Sequence, residues 1–378
     1  MLQNKVCADL GSTIMRKQKQ DPLTLLDFGW LDHFEAAEKR LKTAGTLHAD
    51  FVRARVMAVH RDALDVAGPD FAGRIHQSPL QPSQNADEEN RPTTGDWLAL
   101  HRTTHKILAI YPRLSLFKRR SAGTTARIQL IAANVDTVLF VTSANQDFNV
   151  ARLERYLALA QEASVTPIIV ITKTDLVDDP KPYIEQTRSI RGDLSVVMVD
   201  ARDSDVLQQL APWLGRGRTI ALMGSSGVGK STIVNSLMGA IVQHTQGIRD
   251  DDARGRHTTS GRSMHRLHSG AWLMDTPGMR ELQIVDATSG IDAVFDDVAA
   301  LTQQCRFSDC SHKNEPGCAI RPAIESGALD PARLHRFLKL RDEERQNTAQ
   351  AHVAHSRRRS TGKLSRRVFA NKTKMPKD

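Results

Sequence analysis

The chain has 378 residues and four cysteines, is 40% hydrophobic and carries a formal net charge of +9. That length suits two or three domains, and no apolar run is long enough to span a bilayer. Three of the four thiols crowd together, which is no disulfide framework for a chain of this size, and the N-terminus lacks the apolar segment of a secretory signal. A cytoplasmic protein without membrane contact is expected. The charge is concentrated at one end: Ser356 to Asp378 holds nine Lys or Arg and one acid, and the rest is near neutral. Such a tail is usually solvated and disordered, and its natural ligand is a polyanion such as RNA; a merely solubilising end is the plainer reading.

Residues 1–45 read as a loosely attached polar extension with a short helical pattern from Trp30 to Lys42. Over 46–117 the pattern changes to short β-rich runs (FVRARVMAV, ALDVAG, DWLALH, KILAIYP), which suggest a small all-β barrel or sandwich. The stretch from His76 to Gly95, rich in Pro, Asn, Gln and acid, reads as a long loop. Over 118–290 strands alternate with helices: DTVLFVTS, VARLERYLALAQEAS, TPIIVITK, LSVVMVD, SDVLQQLAPWL, RTIALMG, KSTIVNSLMGA and AWLMDTPG. That alternation predicts a mainly parallel sheet covered on both faces. Residues 291–350 are helical around a Cys/His cluster, and 351–378 form the basic tail.

The run Gly224, Ser225, Ser226, Gly227, Val228, Gly229, Lys230, Ser231 fits G-x-x-x-x-G-K-[ST], with a strand before it and a helix, starting at Thr232 and its neighbours, after it. Glycines let the backbone turn N–H groups onto phosphates, and the helix N-terminus adds its dipole. Lys230 supplies a point charge at the β- and γ-phosphates, and the Ser231 hydroxyl can ligate Mg²⁺. Downstream, Asp275-Thr276-Pro277-Gly278 ends an apolar strand. Asp275 is placed to hold the Mg²⁺ shell, and the Gly278 N–H to meet the γ-phosphate.

Thr172, Lys173, Thr174 and Asp175 (TKTD) follow a strand and match the guanine-reading N/T-K-x-D pattern. The Asp175 carboxylate would accept from guanine N1–H and the exocyclic amine, and the lysine stem would pack on the base. Adenine offers no such donor pair. The next strand ends in Asp200 and Ala201, which would form the loop at guanine O6. Both motifs lie at strand C-terminal ends, where α/β sheets place ligands. In ordinary GTPases they follow the phosphate loop; here they precede it, so the chain is circularly permuted.

With this motif order, and with AANVDTVLFVTS, the LERYL helix, GSSGVGKSTIVN, GRHTT, DTPGMREL and the Cys/His cluster, the chain resembles the circularly permuted, small-ribosomal-subunit-dependent GTPases of the RsgA/YjeQ family, over about Thr46 to Leu340. The resemblance implies a multidomain α/β protein: an N-terminal OB-fold-like β-barrel, a circularly permuted P-loop GTPase domain and a C-terminal helical zinc-binding domain. It further implies a GTPase that binds the 30S subunit and its 16S rRNA late in maturation, hydrolyses GTP to GDP and phosphate, and is stimulated by the subunit. Thr172 stands where the family commonly has Asn, and Asp200 where it commonly has Ser.

Met279 follows D-x-x-G at the position where many GTPases carry the water-orienting Gln, so slow intrinsic turnover is expected. Gly255-Arg256-His257-Thr258-Thr259 lies where the first switch belongs. Thr258 or Thr259 is a candidate to complete the Mg²⁺ shell and His257 to position water; a histidine on a switch loop that touches RNA or nothing is the equal alternative. Cys305, Cys310, His312 and Cys318 supply three thiolates and one imidazole, a closed tetrahedral set for one structural Zn²⁺. Cys7 is expected to be free and the protein a monomer.

Arg53, Arg55, Arg61 and Arg102 fall in the proposed barrel and are candidates for RNA. Aromatic residues are scarce, at 5%, so phosphate contact is expected there ahead of base stacking. Two other functions fit less well. One is an RNA-binding scaffold that holds GTP and barely hydrolyses it; the other is a P-loop ATPase, which requires TKTD to be accidental.

Overall fold

The structure, a computed structural model, describes residues 22–47, 50–76, 90–120, 128–201, 205–239, 262–275 and 286–349. A short 3₁₀ turn, Leu26–Phe28, and helix α1, Asp32–Thr43, open the described chain. Five strands follow: β1 Phe51–Val59, β2 Ala63–Ala67, β3 Ala72–His76, β4 Trp97–His101 and β5 Ile107–Ile110. They pair antiparallel in the order β3-β2-β1-β4-β5. Alternation sets their inner face. Val52, Ala54 and Val56 of β1 meet Leu64, Val66, Ile75, Leu98 and Leu100 in one buried cluster.

The intervening residues of β1, Phe51, Arg53 and Arg55, therefore face the other way, and the N-terminal segment covers them. Its described part, residues 22–47, is not loosely attached. Trp30 packs edge-on against Trp97 and Tyr111, and Phe28, Trp30 and Phe34 are all buried. Glu38 of α1 accepts from Arg53 Nε at 2.6 Å, Lys42 Nζ at 2.8 Å and Tyr111 Oη at 2.9 Å. Burial alone would raise the Glu38 pKa; those bonds outweigh it and hold the carboxyl down at about 2. A carboxylate depressed in this way stabilises the fold fully above its unfolded pKa of about 4.5 and loses that contribution as pH falls toward about 2. Acid titration followed by tryptophan fluorescence should therefore show loosening around Trp30 in that window, and Glu38→Gln should remove the step.

A hairpin of β6, Leu116–Arg120, and β7, Ile128–Ala133, leads into the α/β region. There β8 Thr137–Ser143, β9 Thr166–Thr172, β10 Ser195–Met198, β11 Thr219–Met223 and β13 Trp272–Asp275 run parallel in the order β10-β9-β8-β11-β13. Helices α2 Val150–Glu162, α3 Lys181–Arg188, α4 Val206–Leu210 and α5 Lys230–Met238 join them. Asn149 caps α2 by accepting from the Arg152 N–H. Buried clusters lie on both sheet faces, α5 and α4 on one and α2 on the other.

Strand β12, Arg262–Arg266, pairs antiparallel with β13 and makes the sheet continuous with the barrel. The edge that β1 gives to β4 over Phe51–Arg55 passes to β12 over Ala58–Val59, beyond a bulge at Val56/Ala58. One eleven-stranded sheet results.

The C-terminal part is helical: α6 Thr288–Val294, α7 Asp296–Thr302, α8 Ile320–Glu325 and a last helix, α9, over 331–349. It seats on α2. The fully buried Glu154 of α2 accepts from Arg336 Nε at 2.7 Å and Arg333 Nη1 at 3.4 Å of α9, and Arg155 reaches Glu343 at 2.6 Å. Among the described residues no helix is long and apolar enough to cross a membrane.

Candidate nucleotide site and metal centre

Strand register brings the predicted motifs to one edge of the sheet. Ser143 of β8 stands opposite Thr172 of β9, Ile171 opposite Met198 of β10, Phe140 opposite Met223 of β11, and Ala221 opposite Met274 of β13. The C-terminal ends of these strands thus carry Thr172–Asp175, Asp200–Ala201, the loop opening at Gly224, and Asp275. This is the edge at which open α/β sheets bind ligands.

The loop from Gly224 to Gly229 turns between β11 and α5. A Cβ on Gly224 would sit 2.2 Å from the Val141 carbonyl oxygen, so only glycine lets β11 leave the sheet this close to β8. Gly229, at φ +91°, is the N-cap of α5, whose first residues are Lys230, Ser231 and Thr232. Lys230 is buried, and its ammonium folds back over the loop to donate to the Ser225 carbonyl. Ser226, Gly227 and Val228 complete the arch; Val228 is buried against the α5 face of the sheet.

Thr172 does not face outward toward a base. It is fully buried, and its hydroxyl lies 2.7 Å from the Val228 carbonyl and 3.0 Å from the Thr142 carbonyl. It ties the end of β9 to the phosphate loop. Lys173 then takes a left-handed conformation, φ +58°, before the 3₁₀ turn Thr174–Leu176. That conformation disfavours side chains other than Asn, Asp or Gly, and it throws Asp175 outward, exposed. Asp200 is half-buried and Ala201 buried; the Ala201 carbonyl lies 3.4 Å from the Ser236 hydroxyl of α5. Thr172→Val keeps the shape and removes the tie. It should lower the melting temperature by roughly 2–6 °C, the worth of one buried hydrogen bond, and weaken nucleotide binding by loosening the phosphate loop; thermal melting and a fluorescent GTP analogue titration measure the two effects.

Asp275 ends β13 directly across from Ser263 of β12. A hydroxyl at Ser231 and a carboxylate at Asp275 are hard oxygen donors of the kind Mg²⁺ takes. His257, Thr258, Thr259, Gly278 and Met279 lie outside the described residues.

The second cluster sits between α7 and α8. The ligand atoms of Cys305, Cys310, His312 and Cys318 all lie within 4.8 Å of one another. His312 Nδ1 is 3.6 Å from Cys305 Sγ and 3.7 Å from Cys318 Sγ. Tetrahedral zinc, with its usual Zn–S and Zn–N lengths, would separate such ligands by about 3.6–3.8 Å, so these two distances match the ion and the four donors are of the type it takes. The turn is fastened independently. Glu315 accepts from the backbone N–H groups of Ser311, Lys313 and Asn314, Gly317 takes φ +78°, and the Ala319 N–H donates to Cys305 Sγ at 3.4 Å. One zinc per chain is expected by atomic absorption, and Cys318→Ser, which alters the most buried ligand, should lose it together with the packing of α8.

Of the four barrel arginines, two are already engaged in the fold. Arg55 is fully buried: Nη1 donates to the Phe28 carbonyl at 2.6 Å, Nη2 to the Asn134 carbonyl at 3.0 Å and to Thr219 Oγ1 at 2.9 Å, and Nε to the Gly95 carbonyl at 3.2 Å. Burial lowers its pKa to about 10, still protonated at neutral pH. Arg53 is bound to Glu38. Arg61 is exposed, and Arg102 pairs at the surface with Asp50 at 3.0 Å. Alternation along β1 already put Arg53 and Arg55 opposite the barrel core; the sequence signal for what covers that face was the apolar group Phe28, Trp30 and Phe34.

A phosphate loop, a base-reading tetrapeptide upstream of it, and both at one edge of a parallel sheet define a circularly permuted P-loop GTPase with an OB-fold-like β-barrel before it and a helical domain carrying the Cys₃His cluster after it. The RsgA GTPase family model matches residues 110–285. An ABC transporter model matches 207–368, a span that shares with it the strand, phosphate loop and helix common to P-loop NTPases. Small ribosomal subunit biogenesis GTPase RsgA 2 of Vibrio parahaemolyticus is 44% identical over 85% of this chain and 87% of that protein. The RsgA of Mesorhizobium japonicum is 43% identical over 86% of this chain and 91% of its own. Among solved structures, YjeQ from Thermotoga maritima aligns with a TM-score of 0.55 at 22% identity, over 77% of this chain and 97% of that one. YloQ, a circularly permuted GTPase, aligns at 0.53 and 23%, over 79% and 96%. The chain belongs to the RsgA GTPase family, and it is a GTP hydrolase.

Proposed function

We propose that this GTPase of ribosome biogenesis acts in the cytoplasm on the 30S subunit, contacts its 16S rRNA late in maturation, and turns over GTP faster when the subunit is bound. The observation that carries the reading is the convergence of Thr172–Asp175, Gly224–Thr232 and Asp275 at one sheet edge within a chain whose relatives are small ribosomal subunit biogenesis GTPases over most of their length.

In this reading the N–H groups of Gly224–Thr232 and the Lys230 ammonium hold the phosphates, with the Gly278 N–H meeting the γ-phosphate. Asp175 accepts from guanine N1–H and the exocyclic amine, the Lys173 stem covers the base, Thr174 supports the turn, and Asp200 and Ala201 border O6. Ser231 and Asp275, with Thr258 or Thr259, hold Mg²⁺, which when bound supplies positive charge to the β- and γ-phosphate oxygens. His257 positions water in place of the glutamine that Met279 replaces. Water then attacks the γ-phosphorus, the bond to the β–γ bridging oxygen breaks, and GDP and phosphate leave. Slow turnover without a partner follows from Met279.

Sedimentation tests the partner. The full chain with a non-hydrolysable GTP analogue should pellet with purified 30S subunits and much less with 50S subunits; equal pelleting with both would remove the small-subunit reading. The scaffold alternative predicts the same pelleting but no stimulated turnover.

A further inference from the structure

The aromatic side chains of the described residues are buried or half-buried with one exception. Among the described residues Phe307 is the one Phe, Trp or Tyr that is exposed, at 41%, and it lies between Cys305 and Cys310. Its ring makes no described stack with another ring. Its one close ring partner is the neighbouring Arg306, whose guanidinium carbon lies 5.3 Å from the ring centroid. The backbone on either side is fixed: the Arg306 N–H donates to the Gly317 carbonyl at 3.0 Å, and the Cys310 N–H to the Phe307 carbonyl at 3.3 Å.

The metal ligands and the Glu315 hydrogen bonds already hold this turn, so the ring is not needed to close it. A phenylalanine exposed to this extent forgoes roughly 1 kcal/mol of burial. What the turn offers instead is a π-face against which the Arg306 guanidinium lies, with a second exposed cation, Lys313, on the same ligand-bearing turn. Of the two acids in the turn, Glu315 has both oxygens bound by the turn's own donors and Asp309 is exposed, so two exposed cations stand against one exposed acid. An aromatic face with adjacent cations is the recognition chemistry of an unpaired nucleobase and its phosphates.

We propose that Phe307 is a base-stacking platform for single-stranded RNA, with Arg306 and Lys313 on the flanking phosphates. The inference deepens the proposed function by naming the kind of RNA the metal module takes: an unpaired loop or end, since a duplex shields its base faces. Stacking thereby falls to the metal module, and the barrel is left with phosphate contact.

Phe307→Leu removes the π-face and keeps an apolar side chain; Phe307→Tyr keeps the face. Zinc content and unstimulated GTP turnover serve as folding controls for both. Two measurements on the full chain separate this proposal from the one it rests on: anisotropy with a fluorescein-labelled, mixed-sequence 12-nucleotide RNA, and pelleting with 30S subunits. Stacking of one base predicts a roughly 5- to 100-fold loss of RNA affinity for Phe307→Leu and wild-type affinity for Phe307→Tyr. Wild-type RNA affinity in Phe307→Leu overturns the platform, and if that variant nonetheless pellets poorly with subunits, the ring touches a ribosomal protein. Loss of RNA affinity in Phe307→Leu, with no pelleting even of the wild-type chain, upholds the platform and removes the ribosomal reading.

Discussion

Asp175→Asn is expected to lower kcat/KM for GTP by about 10³-fold and to raise it for xanthosine triphosphate. The carboxylate is exposed at the end of the left-handed turn that Lys173 makes, with nothing of the fold resting on it. It can accept two charge-assisted hydrogen bonds from guanine, each worth about 2 kcal/mol. An amide presents a donor to the exocyclic amine, which repels it, but suits the carbonyl that xanthine carries at the same position. Competition kinetics with the two triphosphates reads the exchange. A loss for both nucleotides alike would mean that the turn, and not base recognition, had been damaged. Unchanged GTP turnover would take Asp175 out of the site.

Arg55→Leu is expected to lower the melting temperature by roughly 10 °C and to release the segment that begins at Leu23. The guanidinium is fully buried without a carboxylate in contact, and its four hydrogen bonds gather Phe28 from the N-terminal segment, Gly95 from the barrel loop, and Asn134 and Thr219 from the α/β sheet. Truncation leaves three carbonyl oxygens and a hydroxyl without that donor. At about 1–3 kcal/mol for each buried group that water cannot reach, partial solvation still leaves a loss of at least about 3 kcal/mol. For domains of this size that corresponds to about 2–4 °C per kcal/mol. Arg55→Lys should recover little, because one ammonium cannot span four acceptors set around a planar fork. Hydrogen exchange should show the loss first at Phe28 and Trp30. A melting temperature within about 2 °C of wild type would mean that the aromatic packing around Trp30 suffices to join the three segments.

The legible parts of this protein are those whose chemistry needs a fixed spacing or whose burial is two-sided. Strands β8, β9 and β11 are fully or nearly fully buried and read as uninterrupted apolar runs, and the phosphate loop needs its glycines where backbone meets backbone, as at Gly224. The Cys₃His set is legible for the same reason, since four ligands must reach one centre. Other elements were hidden by composition. Strand β12, RSMHR, has one apolar residue in five because only Met264 turns inward, yet it is the strand that joins the nucleotide sheet to the barrel. Helix α3, KPYIEQTR, is mostly polar because only its Tyr183, Ile184 and Thr187 side turns inward. The apolar run from Ile291 to Leu301 reads as one helix and is two, broken at Phe295, where the buried ring packs 5.6 Å from Phe337. Arg55 reads as a surface cation because a charged residue in a strand ordinarily is one; only the three-dimensional meeting of Phe28, Gly95, Asn134 and Thr219 gives it a buried shell of acceptors.

The most direct test is steady-state phosphate release from GTP and from ATP, each with and without purified 30S subunits. A guanine-reading Asp175 with Met279 in place of the water-orienting glutamine predicts slow GTP turnover alone, strong stimulation by the subunit, and negligible ATP turnover in either case. Equal use of ATP, or GTP turnover that the subunit leaves unchanged, would contradict it.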